Sequence, residues 1–151
     1  MSRFPQKAGL KGSQKWIQKL VNGNPELLNA EIRKQLTLST DESISWLSPL
    51  AGDDYAEYRD EAFLNLLGLT LAKVPLSEFW PPGGPHWDAL GKSETGNVFL
   101  VEAKAHISEM VSGATAAEGT SFKRIDESLD RTKAFLNSKS HHPRRDSPEA
   151  G

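Results

Sequence analysis

The 151-residue chain contains no cysteine, and no apolar run comes near the roughly 20 residues that a membrane-spanning helix needs. Without cysteine there can be no disulfide bond and no metal held by thiolates. The N-terminus carries positive charge but no apolar leader segment, so we expect a cytoplasmic protein that does not enter a membrane. A net charge of -2 also lacks the strong basic excess of proteins that coat nucleic acid.

Hydrophobic residues make up 37% of the chain and charged residues 25%, which is typical of one globular domain with a real core. Both ends are polar. Residues 1–12 are predicted to be a disordered N-terminus, and residues 138–151, which include His141 and His142, a disordered tail.

Residues 13–52 are predicted to form a helical N-terminal extension. Ser13 can cap a first helix that ends near Gly23, and Asn24-Pro25 is typical of the start of a second helix. The remainder, residues 37–52, is interpreted as a connector that packs on the core.

Residues 53–137 are predicted to form the core. The pattern favours an α/β fold, a small mixed sheet flanked by helices, with NVFLV as its central strand. The predicted elements are a helix capped by Asp53 or Asp54 and stopped at Gly68, a strand over 69–74, two hairpin strands in WDALG and NVFLVEAKAH, and a helix over 121–136.

The hairpin carries the residues best suited to chemistry. Strand alternation places Glu102 and Lys104 on one face at the end of the apolar run VFLV, and the hairpin returns Asp88 beside Glu102. Two converging carboxylates repel each other and favour a divalent cation between them. The plain alternative is a Glu–Lys pair at the solvated end of an exposed strand, and for the triplet alone this reading is the commoner one.

The order Pro85-His86-Trp87-Asp88 followed by Glu102-Ala103-Lys104 resembles the PD-(D/E)xK, or restriction-endonuclease-like, phosphodiesterase superfamily. The segment AEYRDEAFLNLLG is similar to a helix of archaeal-type Holliday junction resolvases that carries a catalytic Glu. Glu57 matches that position, and Glu61 is the alternative. The resemblance covers roughly residues 55–136.

This resemblance implies metal-dependent hydrolysis of nucleic acid, with DNA as the first expectation. Asp88, Glu102 and Lys104 would be catalytic, with Glu57 as a further contributor. The cofactor would be Mg²⁺ or Mn²⁺. We expect it to bind Asp88, Glu102 and the backbone carbonyl of Ala103, because the main chain passes the ion there.

The family core is αβββαβ, and the strand expected after the last helix is absent from this sequence. We therefore expect a truncated αβββα core, or a sheet that a second copy or a partner chain completes. The alternative function is a catalytically weak or inactive module of the same fold that binds nucleic acid or another protein.

Four further side chains lie close to the motif. His106 shares the face of Lys104 but is interpreted as a rim histidine, and His86 as a surface residue of the turn. Trp80 and Trp87 flank the turn and could stack on a base or sugar, although aromatic residues beside a hairpin more often belong to the core.

Overall fold

The computed structural model describes residues 2–106 and 118–136. This part of the chain has an α/β fold with five helices and two small antiparallel sheets. The elements are β1 (Arg3–Phe4), α1 (Gly12–Gly23), α2 (Pro25–Leu36), β2 (Ile44–Ser48), a 3-10 turn (Ala51–Asp53), β3 (Glu57–Tyr58), α3 (Glu61–Leu67), α4 (Leu76–Phe79), β4 (Ala89–Ser93), β5 (Val98–Val101) and α5 (Gly119–Phe135).

The larger sheet has the strand order β2-β4-β5, and both of its pairings are antiparallel. The predicted mixed sheet is therefore wrong, and so is the prediction that VFLV is central, because β5 lies at the edge. The bulky residues of β5 point to both faces of the sheet: Phe99 packs towards α1 and Val98 towards α3. An apolar face shows where a strand packs, but not whether both of its edges are paired. Gly91 in β4 lies opposite Trp46 of β2, and a Cβ there would be 3.0 Å from the Trp46 ring, so the glycine allows the two strands to pair closely.

The segment predicted as a connector contributes strand β2, so the 13–52 region is not helical throughout. Trp46 anchors this strand to α2, because its indole N–H donates to Asn29 Oδ1 at 2.8 Å. The Asn29 amide in turn donates to the carbonyl of Ile44 at 3.3 Å. Buried polar atoms on the helix thus find their partners on the strand.

Residues 69–74 form no strand, which corrects the predicted order of a helix followed by three strands. The helix expected from Asp53 or Asp54 begins only at Glu61, because Asp60 has a left-handed φ of 51° that interrupts it. It does end at Gly68 as predicted, with that residue in the left-handed region. The third strand of the sheet, β2, comes before α3 in the chain.

Residues 2–12, which belong to the stretch predicted to be disordered, are placed against the rest of the chain. Strand β1 pairs with β3, with Arg3 opposite Tyr58 and Phe4 opposite Glu57. Arg3 donates to Asp53 Oδ1 at 2.6 Å, and the Tyr58 hydroxyl donates to the same carboxylate. The predicted disordered tail lies outside the described residues.

Apolar side chains pack on both faces of the larger sheet. One cluster joins α1 and α2 to Trp46, Ala89 and Phe99, and the other joins α3 to Leu90. The helices predicted after Ser13, at Pro25 and near residue 121 are confirmed, although Lys11 rather than Ser13 precedes the first. No helix in the described ranges is long and apolar enough to cross a membrane.

Candidate functional site

The predicted hairpin is confirmed, and its open end carries the motif residues. Ala89 is opposite Val101 at the last position of the β4–β5 pairing. Asp88 directly precedes β4 and Glu102 directly follows β5, so the two residues are next to this last pair. Asp88 Oδ2 accepts a hydrogen bond from the N–H of Ala103 at 2.6 Å, which fixes its carboxylate against the chain that follows β5.

The smaller sheet brings Glu57 to the same end of the hairpin. An isolated antiparallel bridge pairs Tyr58 of β3 with Trp87, which lies two residues before β4. This bridge links the smaller sheet to the segment that contains Asp88. Glu57 precedes Tyr58 and lies on strand β3, not on a helix, which corrects the prediction. The alternative, Glu61, is exposed in the first turn of α3.

Two of the carboxylates at this end, Glu57 and Asp88, have raised pKa values, mainly because they are partly buried. Burial is the main cause of the raised pKa of Glu57, followed by repulsion from Asp88, and repulsion from Glu102 adds to it. A hydrogen bond from Gln6, at 3.2 Å, acts in the opposite direction. The pKa of Asp88 is also raised, by burial first and by Glu102, although the Ala103 N–H partly offsets this. The structure therefore concentrates negative charge where few donors compensate it.

Lys104 contributes positive charge to the cluster. Its ammonium forms an ion pair with Glu102, and both side chains are partly exposed. Its charge also acts to lower the pKa of Asp88, but not enough to cancel the effect of burial. The Glu102–Lys104 contact is the one that the plain ion-pair interpretation of the triplet expects.

The site offers oxygen donors of the kind that Mg²⁺ and Mn²⁺ prefer. In the described part of the chain, however, no group of three or more His, Cys, Asp or Glu side chains is placed to hold a metal ion. Asp88 is engaged by Ala103 and Glu102 by Lys104. The chemistry of the donors fits such an ion, and the Lys104 ammonium lies against one of the two Glu102 oxygens that would hold it. The contact shown for Ala103 is through its N–H, so its carbonyl remains a predicted ligand.

Comparison with protein-family models, curated proteins and solved structures found no match. The resemblance to the PD-(D/E)xK superfamily therefore rests on the motif residues of the sequence.

Two residues at this site were missed or misplaced by the sequence analysis. His86 is half-buried, with its ring 4.3 Å from that of Phe4 and its Nδ1 3.8 Å from Glu57 Oε2. Burial, followed by the charge of Arg59, lowers its pKa, so the contact with Glu57 is not an ion pair at neutral pH. Gln6 gave no signal, because it lies in a polar segment far from the motif in sequence. His106, interpreted as a rim residue, is exposed.

Proposed function

We propose that this protein is a metal-dependent phosphodiesterase that hydrolyses nucleic acid, with DNA as the first candidate, using a PD-(D/E)xK site in a restriction-endonuclease-like core. One observation carries the proposal. Glu57 and Asp88 are partly buried carboxylates whose pKa values are raised by burial and by neighbouring negative charge, at the end of the hairpin where Glu102 and Lys104 lie. A divalent cation would relieve this repulsion, and perturbed carboxylates of this kind are typical of functional sites.

Asp88 and Glu102 would hold the ion, with the Ala103 carbonyl and Glu57 as further oxygen ligands. When bound, the metal supplies Lewis acidity, polarising a phosphate and lowering the pKa of a bound water. The N–H of Ala103 fixes the orientation of the Asp88 carboxylate, and Gln6 does the same for Glu57. The chain thus holds Asp88 and Glu57 in place, Asp88 through a donor on the adjoining side of the hairpin and Glu57 through a donor in the N-terminal segment.

Lys104 would change partner during the reaction. Without a metal, its ammonium balances the charge of Glu102. With Glu102 holding an ion, the Lys104 ammonium would be available to align the attacking water and to stabilise charge on the phosphoryl oxygens. This role separates Lys104 from the metal ligands, since its removal leaves the carboxylates intact.

The test is cleavage of plasmid, single-stranded and RNA substrates with Mg²⁺, Mn²⁺ or EDTA. We expect metal-dependent cleavage that falls by roughly 10²-fold or more in Lys104→Ala, while Mn²⁺ binding by titration calorimetry is retained. Lys34→Ala is the matched control, because Lys34 is an exposed lysine on α2. Cleavage that survives EDTA, or full activity in Lys104→Ala, contradicts the proposal.

A second candidate is a module of the same fold that binds nucleic acid but cuts it poorly. The observation that favours it is that the described carboxylates do not form a three-residue metal cluster. This candidate predicts salt-sensitive DNA binding without cleavage under any metal condition. The same set of incubations, with a binding assay added, therefore separates the two functions.

A further inference from the structure

A cavity of about 380 Å³ lies beside α4, against α3, α5 and the turn that leads to Asp88. Its volume is within the range of about 300–1,000 Å³ that is usual for small-molecule sites. The walls are apolar and aromatic, with two polar side chains among them. The residues that matter here are Asp60, Phe79, Trp80, Trp87, Leu129 and Thr132.

The cavity adjoins the candidate site through the hairpin. Trp87, in its wall, is the residue directly before Asp88. Leu100, another wall residue, is two positions before Glu102 and 43% exposed. The cavity wall is therefore continuous along the chain with the motif residues, while Asp88, Glu102 and Lys104 are not among its described lining residues.

Gly84 determines where the Trp80 ring lies. A Cβ at this position would be 2.7 Å from Trp80 Cδ1 and 3.1 Å from its Nε1, closer than a side chain tolerates. The glycine lets the indole lie directly on the backbone of the turn, so that the ring forms one wall of the cavity. The turn WPPGGP thus contributes part of the cavity wall, through Trp80, Gly84 and Pro85.

The charged and polar groups around the cavity indicate which class of ligand it could bind. Among the described residues, no Lys or Arg lines it, and Asp60 is its one acidic group. Asp60 Oδ1 accepts from the N–H groups of Gly83 and Gly84, at 3.1 and 3.2 Å, and Arg59 Nε lies 3.5 Å from Oδ2. A carboxylate offers about four acceptor positions, so capacity remains for a ligand N–H. The described lining offers no cation to a phosphate or carboxylate group, whereas a flat ring with N–H donors suits the aromatic walls and Asp60.

We propose that this cavity binds a nucleobase unstacked from the substrate strand, against the rings of Trp80 and Trp87 and with Asp60 accepting a base N–H. Stacking on aromatic side chains is the usual way in which proteins hold unpaired bases. The inference deepens the proposed function, since a nucleic-acid substrate supplies the base. It concerns binding alone, and it can therefore be tested apart from cleavage.

The experiment is a titration of the full chain with adenosine, followed by tryptophan fluorescence, with ribose as the control ligand. We expect saturable quenching by adenosine and none by ribose. Thr132→Phe fills the cavity and should weaken adenosine binding at least tenfold, and Leu129→Phe is a second filling variant. Asp60→Asn keeps an acceptor for the glycine N–H groups and should weaken binding a few-fold. Trp16→Phe is the control, because Trp16 is 58% exposed and lies outside the cavity.

Absence of saturable quenching overturns the inference, as does normal adenosine binding in both filling variants when their thermal melts show folded protein. Toluene binding as tightly as adenosine overturns the assignment to a nucleobase. Asp88→Asn separates this inference from the proposed function, since it should abolish cleavage and leave adenosine binding unchanged. Adenosine binding that is lost in the filling variants supports the cavity even where the wild type fails to cut.

Discussion

The carboxylates at the two ends of the β4–β5 hairpin have pKa values shifted in opposite directions. At the turn end, Glu42 is only 5% exposed, and its Oε1 accepts hydrogen bonds from Thr95 and Asn97. Hydrogen bonds from Ser93, Thr95 and Asn97 lower its pKa. At the open end, Glu57 and Asp88 have raised pKa values.

Two causes separate the ends: burial is the largest cause of the raised pKa values of Glu57 and Asp88, and hydrogen-bond donors are the largest cause of the lowered pKa of Glu42. Glu42 has neutral donors on the adjoining turn, so its charged form is stabilised. Among the described residues, Glu57 accepts one hydrogen bond, from Gln6, and Asp88 accepts one, from the Ala103 N–H. Asp88 and Glu102 repel Glu57, and Glu102 repels Asp88. A carboxylate with its donors in place stabilises the fold, whereas a cluster short of donors is one that the proposed cation would stabilise.

The largest expected effect is the loss of cleavage in Asp88→Asn. The amide keeps the shape and the acceptor for Ala103 but removes the charge that would bind the metal. We expect metal-dependent cleavage to fall by roughly 10²-fold or more, measured on plasmid DNA. Glu42→Gln, at the other end of the hairpin, is the matched control and should cut like the wild type. Equal losses in both variants would remove the distinction between the two ends.

Metal binding should stabilise the folded protein through the carboxylates at the open end and not through Glu42. Mn²⁺ at about 100 times its dissociation constant would add about 2.7 kcal/mol to the free energy of unfolding. Thermal melts should show this gain in the wild type and in Glu42→Gln, and not in Asp88→Asn. A gain of the same size in Asp88→Asn would place the ion elsewhere.

Without metal, removing a repelling charge should stabilise the fold. Glu57→Gln is expected to raise the melting temperature by roughly a few degrees, because it relieves the repulsion with Asp88 and Glu102. Glu42→Gln is expected to lower it, since the amide keeps one acceptor oxygen but loses the negative charge that strengthens the hydrogen bonds from Thr95 and Asn97. If both substitutions lower the melting temperature, Glu57 is not under electrostatic strain.

The two ends should also respond oppositely to pH. A raised pKa means that the folded state binds the proton more tightly, so stability falls as pH rises from the ordinary values, 4.5 for Glu57 and 3.8 for Asp88, through the raised ones. A lowered pKa, as for Glu42, contributes stability above 4.5 that is lost as pH falls further. Chemical denaturation across this range should show the upper decline in the wild type and a smaller one in Glu57→Gln. An unchanged decline in that variant argues against the assignment.

The smallest expected effect is that of Asn97→Ala. It removes one donor to Glu42, at 2.9 Å, from an exposed turn residue. The melting temperature should fall slightly, and the response to Mn²⁺ should be unchanged, as the same thermal melts will show. A lost response to Mn²⁺ would mean that the turn end also controls the site.

Part of the site could be predicted because it depends on local geometry. Strand alternation and the hairpin are encoded in nearby residues, so Asp88 and Glu102 could be expected on neighbouring chains. The element that carries Glu57 could not be predicted in this way. Its helical pattern is overridden by pairing with β1, which comes from a segment more than fifty residues away in the chain.

By itself, the sequence determined the hairpin, three of the helices and the residue types that could bind a cation, because these follow from periodicity, turn residues and composition. The tertiary structure alone decided that β4 is central, that β2 completes the sheet and that β1 holds Glu57 beside Asp88. Strand order and long-range pairing depend on which edges meet in space. Since side-chain pattern records the faces of a strand and not its edges, only the folded chain can assign them.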